Sequence, residues 1–310
     1  MSSTQKIEFE NFSWLNISNP DEQNLRELGE KYKFHPLDLA DCLSTSQRTK
    51  IDVYPRYTFI VFRVPIYNRE TREILPAEIN IFISKNFLIT IHHDDLQSFT
   101  DFFELLRLST DLRQKYNEKS PEKLLYEILN KLFLYCFPMI DHLSIDCNNI
   151  EKAIFSGKER QMVSEILIIR RNITDFRKIM QVHKTVLKKM IYSFKENPLF
   201  VMKKTDAYFE SLLDSAKEIW DTLENLKETI EALQETNESQ ISFKLSDTMR
   251  ILTIISVFTF PLTLIAAIFG MNTVVSMPLV SSQFGFWYII ALMATIWLIM
   301  LAIFKKNNWL

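Results

Sequence analysis

The chain has 310 residues, 24% of them charged, and a formal net charge of −2; this excludes a general nucleic-acid binder, which carries a basic excess. The apolar content of 47% is an average over two unlike parts, because no Asp, Glu, Lys or Arg stands between Ile251 and Phe304 while everything before is densely charged. The composition reads as a soluble body followed by a membrane tail. Only four glycines occur, far below the usual share of roughly 7%, so long helices with few tight turns are expected. The opening MSSTQKIEFE lacks the apolar core of a signal peptide. Cys42, Cys136 and Cys147 show neither metal nor redox spacing and read as reduced, space-filling thiols.

In chain order, residues 1–112 mix helical and strand signals and are expected to form a small α/β domain. Asn19-Pro20-Asp21-Glu22 opens a helix reaching about Tyr32, and HPLDLADCL starts a second. RYTFIVFRVPIY and EINIFISKNFLITIHH are rich in β-branched and aromatic residues and partly alternate, as strands do. His92-His93-Asp94-Asp95 has metal-ligand chemistry, but neighbours at a strand end point to opposite faces, so a surface turn is the expected reading. No nucleotide-binding loop, HExxH or Ser/His/Asp set in recognisable context occurs. No enzyme activity or cofactor is expected.

Residues 113–250 are expected to be a cytoplasmic helical region. Pro121 to about Phe155 reads as one helix, opened by Ser120 and closed near Gly157. Lys158 to about Tyr192 reads as another, with Ile166, Ile169, Ile173, Phe176 and Met180 on one side. Asn197 before Pro198 then reads as a helix start, and no further proline or glycine follows until Pro261. Leu212, Ala216, Ile219, Leu223, Leu226, Ile230, Leu233 and Asn237 follow a 4-3 spacing that continues through Ile241, Leu245 and Met249. One helix is thus expected from about 198 to Phe269, on the order of 100 Å long. It suits either a lever that carries cytoplasmic movement or a passive coiled stalk.

The tail, 251–310, holds two apolar runs, Ile251–Phe269 and Phe286–Phe304, each long enough to cross a hydrocarbon core of roughly 30 Å. The loop between them is short and lacks Lys and Arg, whereas Arg250, Lys305 and Lys306 flank the pair. The positive-inside rule puts both chain ends in the cytoplasm. Trp287, Tyr288 and Trp309 stand where aromatic belts form. Met249, Ser256, Thr263 and Gly270 recur every seven residues, with Leu252, Phe260 and Ala267 interleaved on the same stripe. Such a stripe fits a helix facing like copies around a narrow wet axis, and it fits ordinary small-residue packing.

At Gly270-Met271-Asn272, directly after the first of two C-terminal runs, the chain resembles the CorA family of magnesium transporters. LTIISVFTFPLTLIAAIFGMN resembles that family's pore helix, and FKKNNWL its basic ending. The resemblance implies a homopentamer in a cell (inner) membrane, in contact with lipid, that passes Mg2+, and often Co2+ or Ni2+, down the electrochemical gradient. It implies that Gly270, Met271 and Asn272 form the outer ion site, and that Ser246, Met249, Leu252, Ser256, Phe260, Thr263 and Ala267 line the pore. Three departures stand out: Ser246 replaces a common asparagine, Phe260 a common methionine, and Leu279 the usual acid after Met277-Pro278. In the family, Mg2+ bound between cytoplasmic subunits holds the pore shut. Asp214 and Glu218, with Glu210 beside them and Asp52, Asp94 and Asp95 opposite, suit that role or that of a solvated acidic face. The zinc-moving branch tends to have valine in place of Met271. Transport of Zn2+ and a non-conducting, membrane-tethered coiled coil remain the alternatives.

Overall fold

A computed structural model describes residues 3–44, 48–93, 96–117, 120–197, 199–200, 206–271 and 283–307. They form two compact units, Met1–Asn237 and Glu238–Leu310. In the first unit, a six-stranded sheet is built from β1 (Ser3–Glu8), β2 (Ser13–Ser18), β3 (Lys50–Val53), β4 (Thr58–Asn68), β5 (Glu73–Ile83) and β6 (Phe87–His92). Its order is β1-β2-β6-β5-β4-β3; β2 and β6 pair in parallel, and the other neighbours are antiparallel.

The central strands are apolar runs because both faces of the sheet are covered. Ile60, Phe62, Val64, Ile79, Ile81 and Leu88 enter the larger core, whereas Phe59, Val61, Phe82, Ile89 and Ile91 enter a smaller one on the other face. Each strand divides its residues this way because successive side chains point to opposite sides. The smaller core is closed by α1 (Glu22–Tyr32) and α2 (Pro36–Leu43), which supply Leu25, Leu28 and Cys42. Asp21 caps α1, accepting from the Asn24 N–H at 2.7 Å. Proline at the first position of α2 follows His35, whose ring nitrogen accepts from the Leu37 N–H.

The larger core is shared by α3 (Gln97–Leu108), α5 (Pro121–Phe155), α6 (Glu159–Met180), α7 (His183–Glu196) and the first part of α8 (Asp206–Phe269), with α4 (Thr110–Asn117) at its margin. One core therefore runs through residues on both sides of position 112, and the packing has no break there. The buried thiols of Cys42, Cys136 and Cys147 are free, and burial raises the pKa of each, that of Cys147 to about 11.

EINIFISKNFLITIHH forms strand as expected, the end of β5 and then β6, folded back at Ser84–Asn86. Three expectations need correction. The helix expected from Lys158 to Tyr192 is two, because the chain turns at Gln181–Val182 and buries the His183 ring edge-on against Phe62 and Phe133. There His183 Nε2 lies 2.7 Å from the Arg63 carbonyl. A tertiary contact breaks the helix where no glycine or proline announces it. Asn197 does not start the long helix: it ends α7, and its side chain accepts from the Leu199 N–H at 3.0 Å. Leu199 and Phe200 are not helical, and α8 is described from Asp206. Finally, His92 is not at a surface turn. It is buried and packs edge-on against Phe99, while His93 reaches the Cys42 carbonyl on the other side at 2.9 Å. Asp94 and Asp95 lie outside the described residues.

In the second unit, α9 (Gly285–Lys306) follows the apolar part of α8. Both helices are long and apolar enough to cross a membrane.

Candidate functional site

The first part of α8 is amphipathic in use as well as in pattern. Leu212, Ala216, Ile219, Leu223, Leu226, Ile230, Leu233 and Asn237, the whole expected seam up to that point, are buried. They pack into the chain's own core with α5 and α6. Arg177 of α6 pairs with Glu224 and lies 5.4 Å from the Trp220 ring, and Arg170 donates to Gln234 at 2.8 Å. The seam is thereby occupied within a single chain. Beyond Asn237 the same spacing loses its cover: Ile241 is half-buried, and Leu245 and Met249 are exposed.

Within the second unit, the apolar part of α8 has two faces. At about 100° per residue, Ile254, Phe258, Pro261, Leu262, Ile265 and Phe269 share one side, and all are half-buried. From that side Phe258 meets Trp297 at 6.2 Å and Phe304 at 5.2 Å between ring centroids. On α9 the half-buried residues Ile289, Met293, Ile296, Met300 and Phe304 form a matching seam. The opposite side of α8 carries Met249, Leu252, Ser256, Phe260, Thr263 and Ala267. All of these but the half-buried Ser256 are exposed, Phe260 by 72%. Ser246, near the start of this part, is exposed as well. The stripe seen in the sequence is thus the side turned away from α9.

The hydroxyls on this side are already oriented. Ser256 Oγ donates to the Leu252 carbonyl and Thr263 Oγ1 to the Thr259 carbonyl, each at 2.9 Å. Each spends its proton on its own helix and keeps oxygen lone pairs to offer outward. At the helix end, the Gly270 N–H donates to the Ala266 carbonyl at 2.9 Å and the Met271 N–H to the Ile268 carbonyl at 3.3 Å. A Cβ at position 270 would stand 3.0 Å from the Ala266 carbonyl oxygen, tighter than backbone tolerates at ease. A helix C-terminus also carries partial negative charge, so the Gly270-Met271 end favours a cation. Asn272 lies outside the described residues, as do Met277, Pro278, Leu279 and Trp309.

The acids expected to bind a regulatory ion belong to the first unit. Glu210, Asp214 and Glu218 are exposed on α8, away from the buried seam. Asp52 is held by Lys50 at 2.8 Å, and Lys50 also reaches Asp41 at 2.6 Å. Partial burial works to lower the pKa of Lys50, but the two carboxylates outweigh it and keep the ammonium charged. Among the described residues, no group of three or more His, Cys, Asp or Glu could hold a metal ion. What sequence reasoning missed is the covered side of α8. Its signal was the spacing of Ile254, Phe258, Leu262, Ile265 and Phe269, obscured by a run in which nearly every residue is apolar.

Comparison with known proteins matches residues 9–306 to a family described as CorA-like Mg2+ transporter protein. The chain is 27% identical over 299 residues to the cobalt/magnesium transport protein CorA of Thermotoga maritima, covering 96% of this chain and 83% of that one. It is 25% identical over 308 residues to the protein of the same name from Methanocaldococcus jannaschii, covering 98% and 94%. Among solved structures, the complete CorA magnesium transporter of Methanocaldococcus jannaschii shares its fold at a TM-score of 0.82, with 23% identity over 98% of this chain and 94% of that one.

Proposed function

Because the chain belongs to the CorA-like Mg2+ transporter family, we propose that it carries divalent cations across a membrane, Mg2+ first among them, through an axis lined by the uncovered side of α8. The observation that carries this reading is the two-sidedness of that helix: one side meets α9, and the other presents Ser256 and Thr263 oxygens among Leu252, Met249 and Phe260 before ending at Gly270. A helix whose hydroxyl-bearing side finds little cover among the described residues is suited to face copies of itself. The reading makes the protein a homopentamer, with both chain ends in the cytoplasm of a cell whose inner membrane it spans. The parts are an α/β domain (1–112), a helical region (113–250) and a transmembrane hairpin (251–310).

Mg2+ is small and releases its water reluctantly, so a pore mouth that strips it bare must replace a large hydration energy. A ring of Asn272 side-chain carbonyls with Gly270 backbone carbonyls instead accepts hydrogen bonds from the ion's bound waters. Met271 sets the spacing between them. Neutral oxygens hold the ion weakly enough to release it. The membrane potential then draws it inward, at about 2.3 kcal/mol per charge per 100 mV. Leu252 and Met249 close the path by dewetting, and Phe260 narrows it. Asp214 and Glu218 bind cytoplasmic Mg2+ that favours the closed state. No residue has a catalytic role in this reading.

Ion uptake into proteoliposomes tests it. Mg2+ entry that Asn272→Ala abolishes is the expected result, with Mg2+ inhibition relieved by Asp214→Ala/Glu218→Ala. Uptake of Zn2+ but not Mg2+ would point to the zinc reading, and no flux from assembled protein to a tethered, non-conducting role.

A further inference from the structure

The first unit holds a cavity of about 390 Å³ between the end of the β4–β5 hairpin, α5 and α6, within the size range of small-molecule sites. We propose that it binds a small planar heterocycle bearing one carboxylate or phosphate, with the acidic group at Arg69 and an N–H of the ring or of its amino substituent at Asp146.

The floor is apolar and buried, formed by Ile74, Met139, Leu143 and Ile169. Tyr67, Tyr135 and Pro138 add flat surfaces above it, which suits a ring rather than a flexible chain. The rim carries the charges. Arg72 is committed: its guanidinium makes a two-pronged contact with Glu165, at 3.1 and 2.7 Å. Arg69 is exposed at the mouth with no ion pair or hydrogen bond among the described residues, so its planar fork is free for an oxyanion. His142 and Asp146 stand one helical turn apart on α5 and face the same space. Burial raises the Asp146 pKa, against the pull of Arg72 and His142.

The frame is rigid before any ligand arrives. Arg72 sits in the left-handed region at φ 57°, and the buried Asn172 of α6 clamps the strand beside it. Its amide donates to the Arg72 carbonyl at 2.9 Å and accepts from the Ile74 N–H at 3.2 Å. Arg171 holds Glu73 at 2.9 Å. These contacts fix the hairpin to α6 without using Arg69, His142 or Asp146. A preorganised pocket with opposite charges left at two points of its mouth selects a ligand that is itself polar at two points.

Calorimetric titration of the full-length protein in Mg2+-free detergent solution tests this, with AMP and indole-3-carboxylate as the phosphate and carboxylate probes and adenosine and indole as their uncharged counterparts. At least one charged probe is expected to bind saturably with a sub-millimolar Kd, about tenfold or more tighter than its counterpart. Arg69→Glu, at an exposed position that holds nothing in place, should weaken binding by about tenfold or more, and Ile168→Trp should fill the cavity and abolish it. Failure of both charged probes, equal binding of the uncharged ones, or unchanged affinity in Arg69→Glu overturns the proposal. Thermal melting confirms that each variant folds; should Ile168→Trp not fold, Arg69→Glu decides. The readout needs no ion flux, so it stands or falls separately from the transport reading.

Discussion

One helix, α8, holds two stretches of nearly the same spacing and opposite fates. From Leu212 to Leu233 its seam positions are buried in the first unit's own core. From Leu245 onward, positions continuing that seam are exposed, and further on the side toward α9 is half-covered while the opposite side, Ser256 apart, is exposed. A period of three and four therefore says that a face will be covered but not by what. In the first stretch α5 and α6 do it, and the single chain suffices. In the second, α9 covers one side, and the remainder is left to lipid and, on the proposed reading, to copies of the same helix.

Matched truncations should separate the two stretches. Leu223→Ala, at a fully buried position, is expected to cost about 2–5 kcal/mol of stability, read as the shift in denaturant midpoint. A comparable loss at Leu252, 57% exposed, would mean that the second stretch is packed as tightly as the first, and the contrast would fail. The next effect belongs to pH and to the first unit alone. Burial holds the pKa of His183 down to about 4 from its ordinary 6.5. The folded protein therefore keeps this ring neutral where the unfolded chain takes up a proton. Its contribution is complete above about pH 6.5 and is lost as pH falls toward 4, by roughly 3 kcal/mol. Unfolding measured across that range should show the slope, and His183→Leu should flatten it.

A smaller effect lies where the two stretches meet. Asn237 ends the buried part of the seam, and its side-chain oxygen is buried without a hydrogen-bond partner among the described residues. Asn237→Leu should stabilise the protein by about 1 kcal/mol, and a loss instead would show that the amide is needed there. Least of all, Leu252→Ala should move the unfolding midpoint by under about 0.5 kcal/mol, while changing conduction in the proteoliposome assay.

Much of this was readable from the residues. The division into charged body and apolar tail, the helix from Pro121 to Phe155, the seam along α8 and the stripe from Met249 to Gly270 all follow from periodicity, which registers burial on one side of a helix. The starts of α1 and α2 were legible because they are local chemistry. The breaks were not: the turn at Gln181–Val182 exists because His183 has a pocket between Phe62 and Phe133, residues far away in the chain. The edge strands β1 and β3 also escaped, since they are short and partly exposed, as did β2, recognisable chiefly by its parallel partner β6.

The sequence by itself determined which residues want to leave water, the family likeness at Gly270-Met271-Asn272, and the alternation that sends Phe59 and Ile60 to opposite sides of the sheet. The tertiary structure alone decided which partner each apolar face received. It put the first part of α8 against α5 and α6, Phe258 against Trp297 and Phe304, and the Arg69–Asp146 mouth over an apolar floor. The reason is that hydrophobic burial is non-directional: a pattern states the demand for cover, and only the fold, by bringing distant residues together, states what answers it.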